Sequence, residues 1–313
     1  MKPHICCFRQ NNVGIVESAE YSSRAELGYA ELFIEVKPDP SHDYFVDPLP
    51  TDEPSSHEFL LSSDDEEVDK HRNRALGQHI AFATEIFARQ HRSFAFSISF
   101  AGSLARFIRW DRAGCVVSEA FDVRTRPEIL CEFLGRFAQT DDVGRGHDLT
   151  VEPASAEEEK LFRNAITEHV RFQLACDEEA LEGAVSEHYQ PGHVTAIYVL
   201  ERGEMATKGT IARFLVSRPV ASSTTPTGRG TRGWWGVQAS TGKVIFLKDT
   251  WRISDGTYMT EGEVLLAMGN RGVRNIPSLV WHGDVPEYVP CAVDDFVREH
   301  FPTSVVYVRL TST

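Results

Sequence analysis

The stretch Gly228-Arg229-Gly230-Thr231-Arg232-Gly233 constrains this chain most, because of what comes after it. A G-x-G-x-x-G loop that cradles a dinucleotide must open a helix, whose N-terminus receives the pyrophosphate. Here the glycines run into Trp234-Trp235-Gly236-Val237. A hairpin-type connection, Ser240-Thr241-Gly242, then leads into a second apolar run, Val244-Ile245-Phe246-Leu247. Two strands joined by a short turn are incompatible with the dinucleotide reading. What remains is a glycine loop at the head of an antiparallel sheet.

A loop in that setting can fold its main chain over nucleotide phosphates, since glycine leaves no side chain to block their approach. That chemistry needs a lysine on the following strand to meet the phosphates, and a glutamate on the next helix to pair with the lysine. Lys248 ends the second apolar run. The next periodic segment predicts a helix with Thr260 as its N-cap, ending near Gly269 or Gly272. Glu261 borders its apolar residues Val264, Leu265 and Met268, and Glu263 competes for the same role from off that face. The candidate nucleotide-contacting residues are therefore Gly228, Gly230, Gly233, Lys248 and Glu261. No catalytic residue and no metal ligand is assigned.

The rest of the chain predicts an α+β architecture. A mixed α/β N-terminal domain spans 1–150, a helical linker 151–193, and an antiparallel sheet with one main helix 194–313. In the first part, 27–37 alternates as a strand. Residues 38–70, rich in Pro, Ser and acid, read as a long solvated loop. Ala75–Gln90 has helical spacing, and consecutive strands follow before a helix that starts near Pro127. Residues 155–189 read as two helices, the first with Glu157, Glu158 and Glu159 in its first turn.

Taken together, "TGRGTRGWWGVQASTGKVIFLKDTWR" and "EGEVLLAMGNRGVRNIPSLVWHGDV" resemble the fungal-type protein kinase family. The upstream segments "LFIEVKPDPSHDYF" and "RQHRSFAFSISFAGSLARFIRWDRAG" resemble the region that precedes the kinase lobe in that family. The resemblance implies a kinase N-lobe in which Gly228, Gly230 and Gly233 cover phosphates, Lys248 contacts ATP and Glu261 is its partner. It also implies ATP and magnesium as cofactors and phosphorylation of Ser, Thr or Tyr on proteins. The departure lies after Glu261, where neither H-R-D-x-x-x-x-N nor D-F-G occurs. The expectation is a truncated or pseudokinase-like chain, inactive alone. It would bind ATP weakly or not at all, and use Mg²⁺ only with the missing lobe.

A second motif lies in the N-terminal domain. Glu35 and Lys37 form E-x-K on one face of a strand, followed by a helix bearing Gln78. This resembles the core of PD-(D/E)-x-K nucleases, in which acids hold Mg²⁺ and the lysine steadies the attacked phosphate. Glu17, Glu20 and Glu26 are the open choices for the upstream acid. A net charge of −14 argues against nucleic-acid partners. The absence of a long apolar run or a leader-like start points to an intracellular chain, cytoplasmic or nuclear, with protein substrates or regulatory partners.

Overall fold

The computed structural model describes residues 2–18, 26–49, 51, 57–174, 177–200, 211–253, 259–284 and 307–312. They divide into two compact units. The first takes those within 1–148 and 224–228; the second takes those within 149–223, 229–290 and 305–313. No helix among the described residues is long and apolar enough to cross a membrane.

In the first unit, β1 (Ile5–Phe8), β2 (Ala30–Lys37), β3 (Phe94–Ala101), β4 (Leu104–Asp111) and β5 (Cys115–Val117) form one sheet in that order. A short β6 (Phe121–Asp122) also pairs with β4. The pair β2–β3 is parallel and the others are antiparallel. The parallel pair requires a crossover, which α2 (Glu66–Arg89) supplies, following the short α1 (Gln10–Ser18).

The expected alternation of β2 does not translate into one wet face, for its residues Ala30 to Glu35 are all buried. Phe33 packs with Phe82, Ala83, Ile86 and Phe87 of α2. Leu32 and Ile34 belong to a second cluster, lined by Ile129, Phe133 and Phe137 of α3 (Pro127–Gln139). Helices on both faces bury the strand through and through.

Helix α2 starts within the segment expected to be solvated loop. Asp65 caps it by accepting from the N–H of Glu67 at 2.9 Å, and Glu66, Glu67 and Asp69 occupy the first turn. Acidic residues that read as loop composition are thus the N-terminal signal of a helix, complementing its dipole. Below α2 lies a buried polar chain. The Trp110 indole donates to Ser97 Oγ at 2.8 Å, and Ser97 meets His79 Nε2 at 2.7 Å. Tyr44 Oη lies 2.6 Å from His79 Nδ1 and 2.9 Å from Ser99 Oγ. Burial and the nearby charge of Lys37 push the His79 pKa down to about 3, so the imidazole is neutral.

The second unit is a seven-stranded antiparallel sheet in the order β12-β13-β11-β10-β9-β8-β7. Its strands are β7 (Val151–Pro153), β8 (Thr195–Leu200), β9 (Ile211–Val216), β10 (Arg232–Gln238), β11 (Val244–Ile253), β12 (His282–Asp284) and β13 (Tyr307–Ser312). The β10–β11 hairpin sets Gly233 opposite Lys248, Trp235 opposite Phe246 and Val237 opposite Val244. These three pairs share one face of the sheet, while Trp234, Leu247 and Ile245 lie on the other.

Residues 151–193, expected as a linker, lie in this unit. Helices α4 (Ala156–Leu174) and α5 (Glu178–Ser186) cover part of the Lys248-bearing face. Phe162, Ile166 and Val170, spaced by four along α4, pack with Leu181 and Val185 of α5 against Ala196, Leu215 and Val237. The apolar stripe of α4 requires this cover. Between β11 and β12 comes α6 (Glu261–Asn270).

Candidate functional site

Thr260 opens α6 with a reciprocal cap. Its hydroxyl accepts from the N–H of Glu263 at 3.1 Å, and the Glu263 carboxylate accepts from the N–H of Thr260 at 2.6 Å. Glu263 is thereby committed to the helix end, which settles the choice left open between the two glutamates. Glu261 is free to turn toward the sheet. Lys248 Nζ donates to Glu261 Oε2 at 2.5 Å, both side chains about one-third exposed. The strand lysine and the helix glutamate meet as the spacing predicted.

Gly262 is what lets α6 sit close enough. A Cβ there would lie 2.4 Å from His282 Cγ and 2.5 Å from its Cβ. The helix therefore rests its main chain on the β12 histidine, and no larger residue fits without a shift. Nothing in the local sequence marks Gly262, since a helical glycine carries no sign of what approaches it. The apolar face expected on α6 is only partly covered: Val264 and Leu265 are half-buried, but Met268 is exposed.

The three loop glycines play different parts. Gly228 has φ +80° and is counted with the first unit, where its N–H donates to the Arg112 carbonyl at 2.7 Å. Gly230 has φ +50°, a left-handed backbone that glycine adopts without strain. Gly233 has ordinary strand geometry, and what approaches it is a side chain. A Cβ on it would lie 2.7 Å from Cζ of Phe246, whose ring leans across from the neighbouring strand.

The second-unit part of the loop is fastened to β11 rather than loose. The Arg229 carbonyl accepts from the Trp251 N–H at 2.7 Å, and the hydroxyls of Thr231 and Thr250 share a 2.9 Å hydrogen bond. Arg232 donates to Asp249 at 2.8 Å across the hairpin, with both residues almost completely buried. The Arg232 guanidinium also lies over the Trp234 ring, 5.1 Å from its centroid. This buried pair, whose Asp249 directly follows Lys248, carries no motif of its own. Its signal is register: Arg232 and Asp249 stand directly opposite each other in the hairpin.

Lys248 offers a partly exposed ammonium group beside the strand end where Gly233 carries no side chain. Among the described residues no group of three or more His, Cys, Asp or Glu is placed to hold a metal ion.

The E-x-K motif of the first unit also converges. Lys37 Nζ donates to Glu35 Oε1 at 2.6 Å and to Gln78 Oε1 at 3.2 Å. Glu35 is fully buried, and its other oxygen lies 2.9 Å from His4 Nδ1. The two upstream acids among the described residues, Glu17 and Glu26, do not join them. Glu26 pairs with Arg89 and accepts from the Gly28 N–H, Glu17 is exposed on α1, and Glu20 lies outside the described residues.

A search of curated proteins and a search of solved structures each return no match. A family model described as fungal protein kinase matches residues 59–301.

Proposed function

The chain belongs to the fungal protein kinase family, and from that premise we propose that its second unit is a nucleotide-binding lobe which engages ATP phosphates through Lys248. The observation that carries the reading is the Lys248–Glu261 ion pair. The carboxylate holds the ammonium group on the sheet face next to Gly233, where it can meet a phosphate oxygen. Gly230 supplies a left-handed turn of bare backbone ahead of the strand.

Within this sequence no H-R-D or D-F-G motif follows Glu261. We therefore assign to the chain by itself binding without phosphoryl transfer, in the manner of a pseudokinase. Transfer needs an aspartate to orient the substrate hydroxyl and side chains to hold Mg²⁺, and neither task has a residue assigned here. The test is thermal unfolding with and without MgATP. Ligand at about a hundred times its dissociation constant adds roughly 2.7 kcal/mol to the binding-competent state. A raised transition is expected for the full chain and no rise for Lys248→Ala. Label from the γ-phosphate should not reach a protein substrate, and efficient transfer would overturn the inactive assignment.

A second reading attaches to the first unit. The meeting of Lys37 with Glu35 and Gln78 supports a nuclease-like site that cleaves a phosphodiester with water and a divalent cation. It is tested with the full chain, single-stranded and double-stranded DNA, and Mg²⁺ or Mn²⁺. Metal-dependent cleavage that disappears in Lys37→Ala bears the reading out. Absence of cleavage, or cleavage indifferent to Lys37, removes it.

A further inference from the structure

The Lys248-bearing face changes character along the hairpin. At one end Val237 and Val244 lie in the core beneath α4 and α5. Next come Trp235 and Phe246, with ring centroids 5.5 Å apart in an edge-to-face arrangement, and His169 of α4 lies 4.7 Å from the Trp235 centroid. At the other end stand Gly233 and Lys248. Phe246 is 40% exposed and marks the boundary between closed and open parts.

Its ring meets its cross-strand partner Trp235 but is not confined to it. It reaches diagonally to Gly233, close enough that a Cβ there would clash with Cζ at 2.7 Å. Diagonal neighbours in a sheet are about 7–8 Å apart at the backbone, within reach of an aromatic ring. The space directly opposite Lys248, which glycine leaves empty, is thus occupied by the Phe246 ring. A phosphate held between the loop main chain and the Lys248 ammonium group needs that same space.

We propose that Phe246 is an internal plug on the phosphate site, which must swing away from Gly233 before a nucleotide's phosphates can reach Lys248. The inference rests on the nucleotide reading of the second unit and adds a limit on affinity to it. A plug lowers apparent affinity by the fraction of molecules in which it is out of the way. If the ring leaves Gly233 in about a tenth of the molecules, removing it tightens binding about tenfold.

The experiment measures dissociation constants of MgATP and of pyrophosphate for the full chain, Phe246→Ala, Phe246→Val and Lys248→Ala. Phe246→Val keeps a β-favouring apolar residue, so a fold defect in the alanine variant does not obscure the result. The expected result is tighter binding of both ligands to both Phe246 variants, by about the same factor, and loss of both in Lys248→Ala. Weaker ATP with unchanged pyrophosphate would make Phe246 a surface for the base and overturn the plug. Unchanged affinities in folded Phe246 variants, with Lys248 still required, would remove the plug and leave the nucleotide reading standing. Failure of every chain to bind either ligand would remove both.

Discussion

Asp249→Ala is expected to destabilise the second unit by about 3–5 kcal/mol. Arg232 and Asp249 are almost wholly shielded from water and face each other across the hairpin. Truncating the acid leaves a guanidinium in a low-dielectric interior without the carboxylate it met at 2.8 Å. Most of the cost is a buried charge deprived of its carboxylate rather than the lost attraction. Replacing both partners by apolar residues, as in Arg232→Met with Asp249→Leu, should therefore recover most of the loss. Denaturant unfolding followed by tryptophan fluorescence reads this directly, because Trp234, Trp235, Trp251 and Trp281 all belong to the second unit. A double variant as unstable as Asp249→Ala would show that the pair's geometry, and not its charge balance, is what the hairpin needs.

Glu31→Ala is expected to have an effect of similar size in the first unit, about 3–5 kcal/mol. Glu31 is buried on β2 and meets three bases. Arg9 donates to it at 2.8 Å and Arg92 at 3.1 Å, and His147 Nε2 lies 2.9 Å from Oε2. These contacts tie the start of α1, the chain ahead of β3 and the end of the first unit to one strand. Burial by itself would raise the Glu31 pKa. The hydrogen bond from His147 and the charges of Arg92 and Arg9 outweigh it and carry the value down to about 2. A carboxyl with a depressed folded pKa contributes stability that is complete above its unfolded value. That contribution drains away as pH falls from about 4.5 toward 2. Wild type should therefore lose first-unit stability across that interval more steeply than Glu31→Gln, as followed by circular dichroism. Parallel acid profiles would contradict the assignment.

What could be read in advance separates along a physical line. Features set by neighbours in sequence were legible. The hairpin follows from Ser240-Thr241-Gly242 between apolar runs, the helix start from Thr260, and the pairing of Lys248 with Glu261 from the order of strand and helix. The rejection of Glu263 was also within reach, since Thr260-x-x-Glu263 is a capping-box pattern. Features set by approach from elsewhere in the fold were not. Nothing local to Gly262 announces His282, and nothing local to Gly233 announces the Phe246 ring. The same holds for β2, whose two-sided burial depends on α2 and α3 arriving on opposite faces. Residues 66–70 misled for a different reason: acidic composition fits solvated loop and first helical turn alike, and only the cap by Asp65 distinguishes them.

The glycine loop also changes meaning. Its spacing pointed to a backbone kept bare for phosphates, yet Gly228 and Gly230 serve backbones with positive φ, and the space beside Gly233 is taken by the Phe246 ring. The nucleotide reading consequently rests on Lys248 and Glu261 more than on the loop.

Isothermal titration of MgATP into the full chain and into Lys248→Ala tests that reading most directly. The account predicts binding at one site per chain in the wild type and no measurable heat of binding in the variant. Equal affinity in the two chains would contradict it.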